Sequence, residues 1–224
     1  MKIGAFDSGI GGTTIMNEVK KLLPDEEYYY IADSKNCPYG NKSDDELKII
    51  VTKNVEELRK WGAKIIIIAC NTATTRCINF LRQTYPNIKF IGTEPAIKLA
   101  TSTDTKTILV MATPGTIASE RTKSLLKENQ KPGQNITLLP CPGLADTIEK
   151  YLNTNDEQKI DDKLNELLAN QAAPDAIVLG CTHYSLIKDH IKSIFPNSKL
   201  IDGNLGVARE VKKAVSNLSS LYQK

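Results

Sequence analysis

Two cysteines stand at equivalent points of two similar stretches of sequence, and thiols can act as bases or nucleophiles. The stretches read IIIIACNTAT at 65–74 and AIVLGCTHYS at 176–185. Each is a short apolar run typical of a buried parallel strand, and it ends in Cys70 or Cys181 followed by small polar residues. A thiol at the start of a helix feels the positive end of the helix dipole, which favours the thiolate. We therefore predict two reactive thiols that serve one shared substrate.

The order of elements around these cysteines predicts an α/β fold that is built twice. Predicted strands at 2–6, 28–32, 65–68 and 88–91 are followed, in the same order, by predicted strands at 106–111, 135–139, 177–179 and 200–202. We infer an internal duplication that gives two similar α/β domains, each with a parallel sheet, related by a pseudo-twofold axis. Ligands of open α/β sheets bind at the carboxyl ends of the strands, where Asp7, Cys70 and Cys181 all lie.

The predicted domain boundaries follow from this duplication. Residues 1–96 form the first domain and 97–204 the second, with a crossing at the segment GTEP. A final helix, predicted from about Leu205 to Leu221, has no counterpart in the second half. We therefore predict that residues 205–224 pack back on the first domain.

Composition restricts the class of protein. Of the 224 residues 41% are hydrophobic and 25% are charged, which is typical of a soluble globular protein. The longest apolar run is far below the roughly 20 residues that a bilayer span needs, and Met1 leads directly into a predicted strand. Five cysteines, an odd number without tight spacing, do not indicate a disulfide framework. We expect a cytoplasmic protein with free thiols and no membrane contact.

Charge and histidine content exclude two further classes. The 29 basic and 26 acidic residues are well mixed and give a net charge of only +3, so no nucleic-acid partner is predicted. Two histidines are present and no cysteine pair has zinc-ligand spacing, so no metal site is predicted. A lysine motif for pyridoxal phosphate is not evident either.

Several residues have a structural as well as a chemical interpretation. Cys37, Cys77 and Cys141 do not combine a strand end with a polar cap, and we interpret them as buried structural thiols. His183 is either a partner of Cys181 or a polar loop residue, and Glu149 is by default a solvated helix residue. The hydroxyl groups of Thr72 and Thr116 are either helix caps or substrate contacts.

Five segments together resemble the aspartate/glutamate racemase family over nearly the whole chain. They are FDSGIGG at 6–12, ADSKNCPYG at 32–40, ACNTAT at 69–74, GTEPAIK at 92–98 and LGCTHYSL at 179–186. The resemblance implies two facing α/β domains with the active site in the cleft between them. It also implies racemisation of L-glutamate and D-glutamate by two bases without a cofactor, which supplies D-glutamate for peptidoglycan.

The same resemblance implies roles for individual residues. Cys70 and Cys181 would be the two acid/base groups, Asp7 and His183 their assistants, and Glu149 an auxiliary acid. The implied substrate-binding residues are Asp7, Ser8, Tyr39, Gly40, Asn71, Thr72, Thr116, Thr182 and His183.

Two alternatives remain open at this point. One is a racemase of the same family that acts on aspartate or on several amino acids. The other is a non-catalytic protein that binds a small anion in its cleft. The sequence also leaves open whether the chain forms a homodimer.

Overall fold

The computed structural model describes residues 1–222 and contains eight strands and ten α-helices in that range. The strands are β1 (Lys2–Asp7), β2 (Glu27–Ala32), β3 (Ile65–Ile68), β4 (Lys89–Gly92), β5 (Thr107–Ala112), β6 (Asn135–Pro140), β7 (Ala176–Leu179) and β8 (Lys199–Ile201). The helices are α1 (Thr13–Leu22), α2 (Asp44–Trp61), α3 (Asn71–Thr84), α4 (Ile97–Thr101), α5 (Pro114–Ala118), α6 (Glu120–Asn129), α7 (Leu144–Tyr151), α8 (Gln158–Leu168), α9 (Lys188–Ile194) and α10 (Asn204–Tyr222). Short 3₁₀ helices lie at Ser34–Asn36, Tyr39–Asn41 and Thr182–Ile187.

The strands form two four-stranded sheets with the same topology. The first has the order β2-β1-β3-β4 and the second the order β6-β5-β7-β8, and all described pairs are parallel. Phe6 lies opposite Ile68 in the first sheet, as Met111 lies opposite Leu179 in the second. The predicted repeat of one α/β unit is thereby confirmed.

Each sheet is covered by helices on both faces, which explains why its central strands are continuously apolar. In the first sheet, α1 and α10 pack on one face and α2 and α3 on the other. In the second, α7, α8 and α9 cover one face, while α4 and α6 cover the other. The four cores therefore leave the two ends of each sheet as the places where polar side chains can gather.

The last helix packs on the first sheet, beside α1. Val207, Ala208 and Val211 of α10 lie in one buried cluster with Ile3 and Ile15. The domain boundaries at 96 and 204 stay a prediction, and the last two residues of the predicted segment 205–224, Gln223 and Lys224, lie outside the described residues. Within residues 1–222, no helix is both long and apolar enough to cross a membrane.

The two cysteine strands continue into different helices. Helix α3 begins at Asn71, directly after Cys70. Cys70 has an extended backbone (φ −123°, ψ 120°) and occupies the N-cap position. Cys181 has the same extended backbone but precedes a six-residue 3₁₀ helix, so the predicted α-helix after the second cysteine begins only at Lys188. The duplicated strand ends therefore present their thiols in different local settings.

Replacement of Leu58 by Ala tests the packing of helix α2 against the first sheet. Leu58 of α2 has no exposed surface and packs over Gly4, where a β-carbon would lie only 3.1 Å from it. Loss of this side chain leaves a cavity, so Leu58→Ala should lower the free energy of unfolding by about 2–5 kcal/mol. Urea denaturation measures this change. Leu99→Ala is the control, because Leu99 is 54% exposed and its loss should change stability by less than about 0.5 kcal/mol. Equal effects of the two changes would contradict the described core.

Candidate active site

The carboxyl ends of the two sheets face each other, and polar side chains cross between them. The Thr182 hydroxyl donates to Asp7 Oδ2 at 3.0 Å, and the Ile10 N–H donates to Glu149 Oε2 at 3.0 Å. These contacts join the loop after β1 in the first half to residues of the second half. The predicted site residues from both halves thus meet in one cleft.

Asp7 is a fully buried carboxylate whose oxygens are saturated with donors. Its Oδ1 accepts from the Ser8 N–H at 2.7 Å, and its Oδ2 accepts from the Gly12 N–H at 2.5 Å as well as from Thr182. Burial raises the pKa of Asp7, against the opposing effects of His183 and these donors. The carboxylate therefore organises the loop after β1 and also links it to the second half.

Cys70 is 5% exposed, and its thiol points at Ser8. The Cys70 Sγ donates to Ser8 Oγ at 3.8 Å, and that hydroxyl is 3.4 Å from Asp7 Oδ1. Burial raises the pKa of the Cys70 thiol well above its usual value, and the Asp7 charge adds to this effect. The Ala73 N–H at the helix start and the Ser8 hydroxyl favour the thiolate, as the sequence predicted, but burial and the Asp7 charge raise the pKa more than these donors lower it.

Cys181 begins a chain of polar contacts that runs through His183 to Glu149. The Cys181 Sγ lies 3.8 Å from His183 Nδ1, and His183 Nε2 lies 2.8 Å from Glu149 Oε2. His183 is therefore a buried partner of Cys181, and the alternative of a free loop residue is wrong. Burial alone would lower the pKa of His183, but its contacts with Cys181, Cys37 and Glu149 raise it well above the usual value.

Glu149 connects three parts of the molecule. Besides His183 it accepts from the Ile10 N–H and from the Ser34 hydroxyl, both of which belong to the first half. Burial would raise the pKa of Glu149, but the hydrogen bonds from His183, Ser34 and Ile10 lower it to about 2. The default interpretation of Glu149 as a solvated surface residue is therefore wrong.

Three threonine hydroxyls form the opposite wall of the cleft. Thr72 Oγ1 at the start of α3 lies 2.9 Å from Thr113 Oγ1 and 3.2 Å from Thr116 Oγ1. Thr113 is also the N-cap of α5, where its hydroxyl accepts from the Thr116 N–H at 3.3 Å. Thr72 and Thr116 thus meet across the two halves.

The remaining predicted residues line the same region in different ways. Asn71 and Ser8 are buried next to Cys70 at the strand ends. The Tyr39 hydroxyl donates to Asp33 at 2.7 Å and accepts from Asn54 at 3.0 Å, so its polar atom is already engaged. Gly40 packs against Thr113, and a β-carbon there would lie 3.0 Å from the threonine.

Three residues of this region were not predicted from the sequence. Thr113 follows β5 at the position equivalent to Ser8 after β1, so the duplicated strand register could have identified it. Ser34 and Cys37 reach Glu149 and His183 through the loop after β2. No spacing in the sequence relates that loop to the second half, and only the folded structure shows the contact.

The loop after β1 contains glycines at positions where the second half approaches its backbone closely. A β-carbon at Gly9 would lie 2.3 Å from a Glu149 carboxylate oxygen. At Gly11 it would lie 2.6 Å from the His183 backbone nitrogen and 2.8 Å from Thr182 Oγ1. Backbone atoms cannot move aside as a flexible side chain can, so the position of Gly11 is the more restricted of the two.

Comparison with known proteins agrees with this geometry. Residues 13–211 match the model of the family described as Asp/Glu/Hydantoin racemase. The chain belongs to this racemase family. A relative from Clostridium botulinum named glutamate racemase is 40% identical over 98% of this chain and 85% of its own length.

Solved structures of the family have the same fold. The structure of Escherichia coli glutamate racemase in complex with L-glutamate and the activator UDP-MurNAc-ala matches with a TM-score of 0.85 and 29% identity, over 94% of this chain and 80% of that one. Glutamate racemase from Francisella tularensis in complex with D-glutamate matches with a TM-score of 0.81 and 29% identity, over 97% and 81%. The predicted family and fold class are confirmed, and the chain is an isomerase of the racemase type.

Replacement of Gly11 by Ala tests the contact between the halves. The added methyl group meets the His183 backbone, so Gly11→Ala should lower the free energy of unfolding by about 1–3 kcal/mol. Gly206→Ala is the matched control, since Gly206 lies in α10 with nothing within 4 Å of a β-carbon, and it should stabilise by about 0.4–1 kcal/mol. Urea denaturation measures both, and a neutral Gly11→Ala would contradict the described packing.

The low pKa of Glu149 predicts a pH-dependent contribution to stability. A carboxylate with a folded-state pKa of about 2 stabilises the fold above its unfolded-state value of 4.5, and this contribution is lost as the pH falls towards 2. Since Glu149 is only partly buried and solvent screens its contacts, Glu149→Gln should be less stable than wild type at pH 7 by about 1–2 kcal/mol, with a difference that shrinks below pH 4.5. Asp146→Asn on the exposed side of α7 is the control, and a pH-independent difference for Glu149→Gln would refute the assignment.

Proposed function

We propose that the chain interconverts L-glutamate and D-glutamate, with Cys70 and Cys181 as the two acid/base groups. The observation that carries this proposal is the pair of buried thiols at equivalent strand ends of two repeated sheets, where Cys70 contacts Ser8 and Cys181 contacts His183. The relatives named glutamate racemase, among them complexes with L-glutamate and with D-glutamate, support glutamate as the substrate.

The chemistry explains why two thiols are required. Inversion at Cα needs one group that removes the proton from one face and another that delivers a proton to the opposite face. The Cα–H bond breaks, its electrons move into the carboxylate as enediolate charge, and a new C–H bond forms on the other side. Each thiol alternates between acid and base, so a turnover in one direction leaves the pair ready for the reverse reaction.

The Cα proton is a very weak acid, so the site must stabilise the negative charge that forms when this proton is removed. In this proposal the hydroxyls of Ser8 and Thr182, which donate to Asp7 in the structure, and that of Thr72, which is paired with Thr113, turn to the substrate carboxylate and stabilise enediolate charge as it develops there. Such donors act strongly because all three residues are buried from solvent. Burial raises the pKa of Cys70, and the positive charge of a bound substrate ammonium group would favour its thiolate.

The two thiols are expected to differ in their partners. Cys181 contacts His183, which Glu149 orients, and this pair is suited to stabilise a thiolate at Cys181 that removes the proton of L-glutamate. Cys70 faces Ser8 and Asp7 and removes the proton of D-glutamate in the proposed assignment. The proposed biological role is the supply of D-glutamate for peptidoglycan, and a cytoplasmic location stays a prediction.

Solvent exchange at Cα tests the two-base scheme. In heavy water, wild type should incorporate deuterium into glutamate from either enantiomer, while Cys70→Ala and Cys181→Ala should each lose about 10²–10⁴-fold or more of the racemisation rate measured by circular dichroism. Cys77→Ala is the control, since Cys77 lies in the core between α2 and α3, and it should keep its activity. Full racemisation by either active-site variant would refute the scheme.

The same assay separates the alternatives. Initial rates on L-glutamate and L-aspartate distinguish a glutamate enzyme from an aspartate or broad-specificity enzyme. A protein that only binds a small anion would bring about no exchange at Cα with any amino acid.

A further inference from the structure

Three ligand-type side chains meet at the rim of the cleft, outside the pair of thiols. The Cys37 Sγ, a carboxylate oxygen of Glu149 and a ring nitrogen of His183 all lie within 4.8 Å of one another. The proposed reaction gives no role to Cys37. The position of Cys37 beside Glu149 and His183 is therefore a feature that racemisation alone does not explain.

The three donors suit a borderline-soft divalent cation. Thiolate sulfur, imidazole nitrogen and carboxylate oxygen are all zinc ligands, and ligand atoms of a tetrahedral site are roughly 3.5 Å apart. Glu149 Oε2 and His183 Nε2 already converge at 2.8 Å, so small side-chain movements would open the space between them for an ion. A thiolate and a carboxylate would also balance the two positive charges of the ion.

The three ligands come from both halves of the molecule. Cys37 lies in the loop after β2 of the first sheet, whereas Glu149 lies on α7 and His183 follows β7 of the second. Cys37 and Glu149 are half-buried and His183 is buried, so the group is open to solvent on the Cys37 side. An ion bound here would tie the two halves together.

We propose that Cys37, Glu149 and His183 form a zinc site that holds the cleft closed and inhibits the enzyme. The ion takes His183 Nε2 and the Glu149 carboxylate in place of their mutual hydrogen bond, while Nδ1 remains directed at Cys181. A substrate that enters between the halves must separate them, and the ion opposes that separation. The fourth zinc position is left for water.

Metal binding can be tested without any assay of the reaction. Wild-type protein is treated with iodoacetamide with and without Zn²⁺, and alkylation of each cysteine is followed by peptide mass spectrometry. Zn²⁺ should slow the alkylation of Cys37 by more than about tenfold, because a thiolate that is bound to the metal reacts more slowly with the reagent. Mg²⁺, which prefers oxygen ligands, should have no such effect. An alkylation rate of Cys37 that Zn²⁺ leaves unchanged would overturn the proposal.

A pair of variants then locates the inhibition. In wild type, Zn²⁺ should inhibit racemisation and raise the melting temperature. Addition of EDTA should reverse both effects. Cys37→Ala should raise the zinc concentration for half-inhibition by more than about tenfold and abolish the thermal shift, whereas Cys77→Ala should respond like wild type. Equal zinc sensitivity of Cys37→Ala and wild type would place the ion on other thiols and refute the site. The thermal shift and the alkylation remain informative even if the substrate is not glutamate.

Discussion

A buried carboxylate at the end of the first strand is the contact on which the assembly of this site depends. Asp7 has no exposed surface, and a buried charge is tolerated only where hydrogen bonds replace its lost hydration. The chain supplies two backbone donors from the loop that follows and one hydroxyl from Thr182 of the other half. One side chain therefore fixes the conformation of its own loop and the approach of the second sheet.

Duplication explains the pairing of the thiols, and divergence explains their different surroundings. The strand register makes Ala112 the counterpart of Asp7 and His183 the counterpart of Thr72. One thiol thus lies near a carboxylate and the other beside an imidazole. Two enantiomers have equal free energies in water, but a chiral site binds them differently, so unequal partners for the two thiols are compatible with a reaction that runs in both directions.

The sequence was sufficient for the fold because the fold depends on local patterns. Apolar β-branched runs marked the strands, and the repetition of their order predicted two sheets with one topology, as observed. The site was predicted less completely. The roles of Asp7 and Glu149 rest on contacts between residues far apart in the chain, and the raised pKa of Cys70 follows from burial that no helix-start argument can measure. Cys37 was interpreted as a structural thiol because it does not combine a strand end with a polar cap, and its neighbours Glu149 and His183 belong to the other half, where no sequence pattern could reveal them.

The close packing at Gly9 and Gly11 has a consequence for how such a chain can change over time. Since Gly9 lies against a carboxylate of the other half and Gly11 against a backbone nitrogen of the other half, the two repeats can no longer accumulate substitutions independently here. In a chimera that joins the first half of one homologue to the second half of another, the loop after β1 would have to fit the residues of the second half that it contacts. Lineages that lengthened this loop would need a compensating change on the helix that carries Glu149.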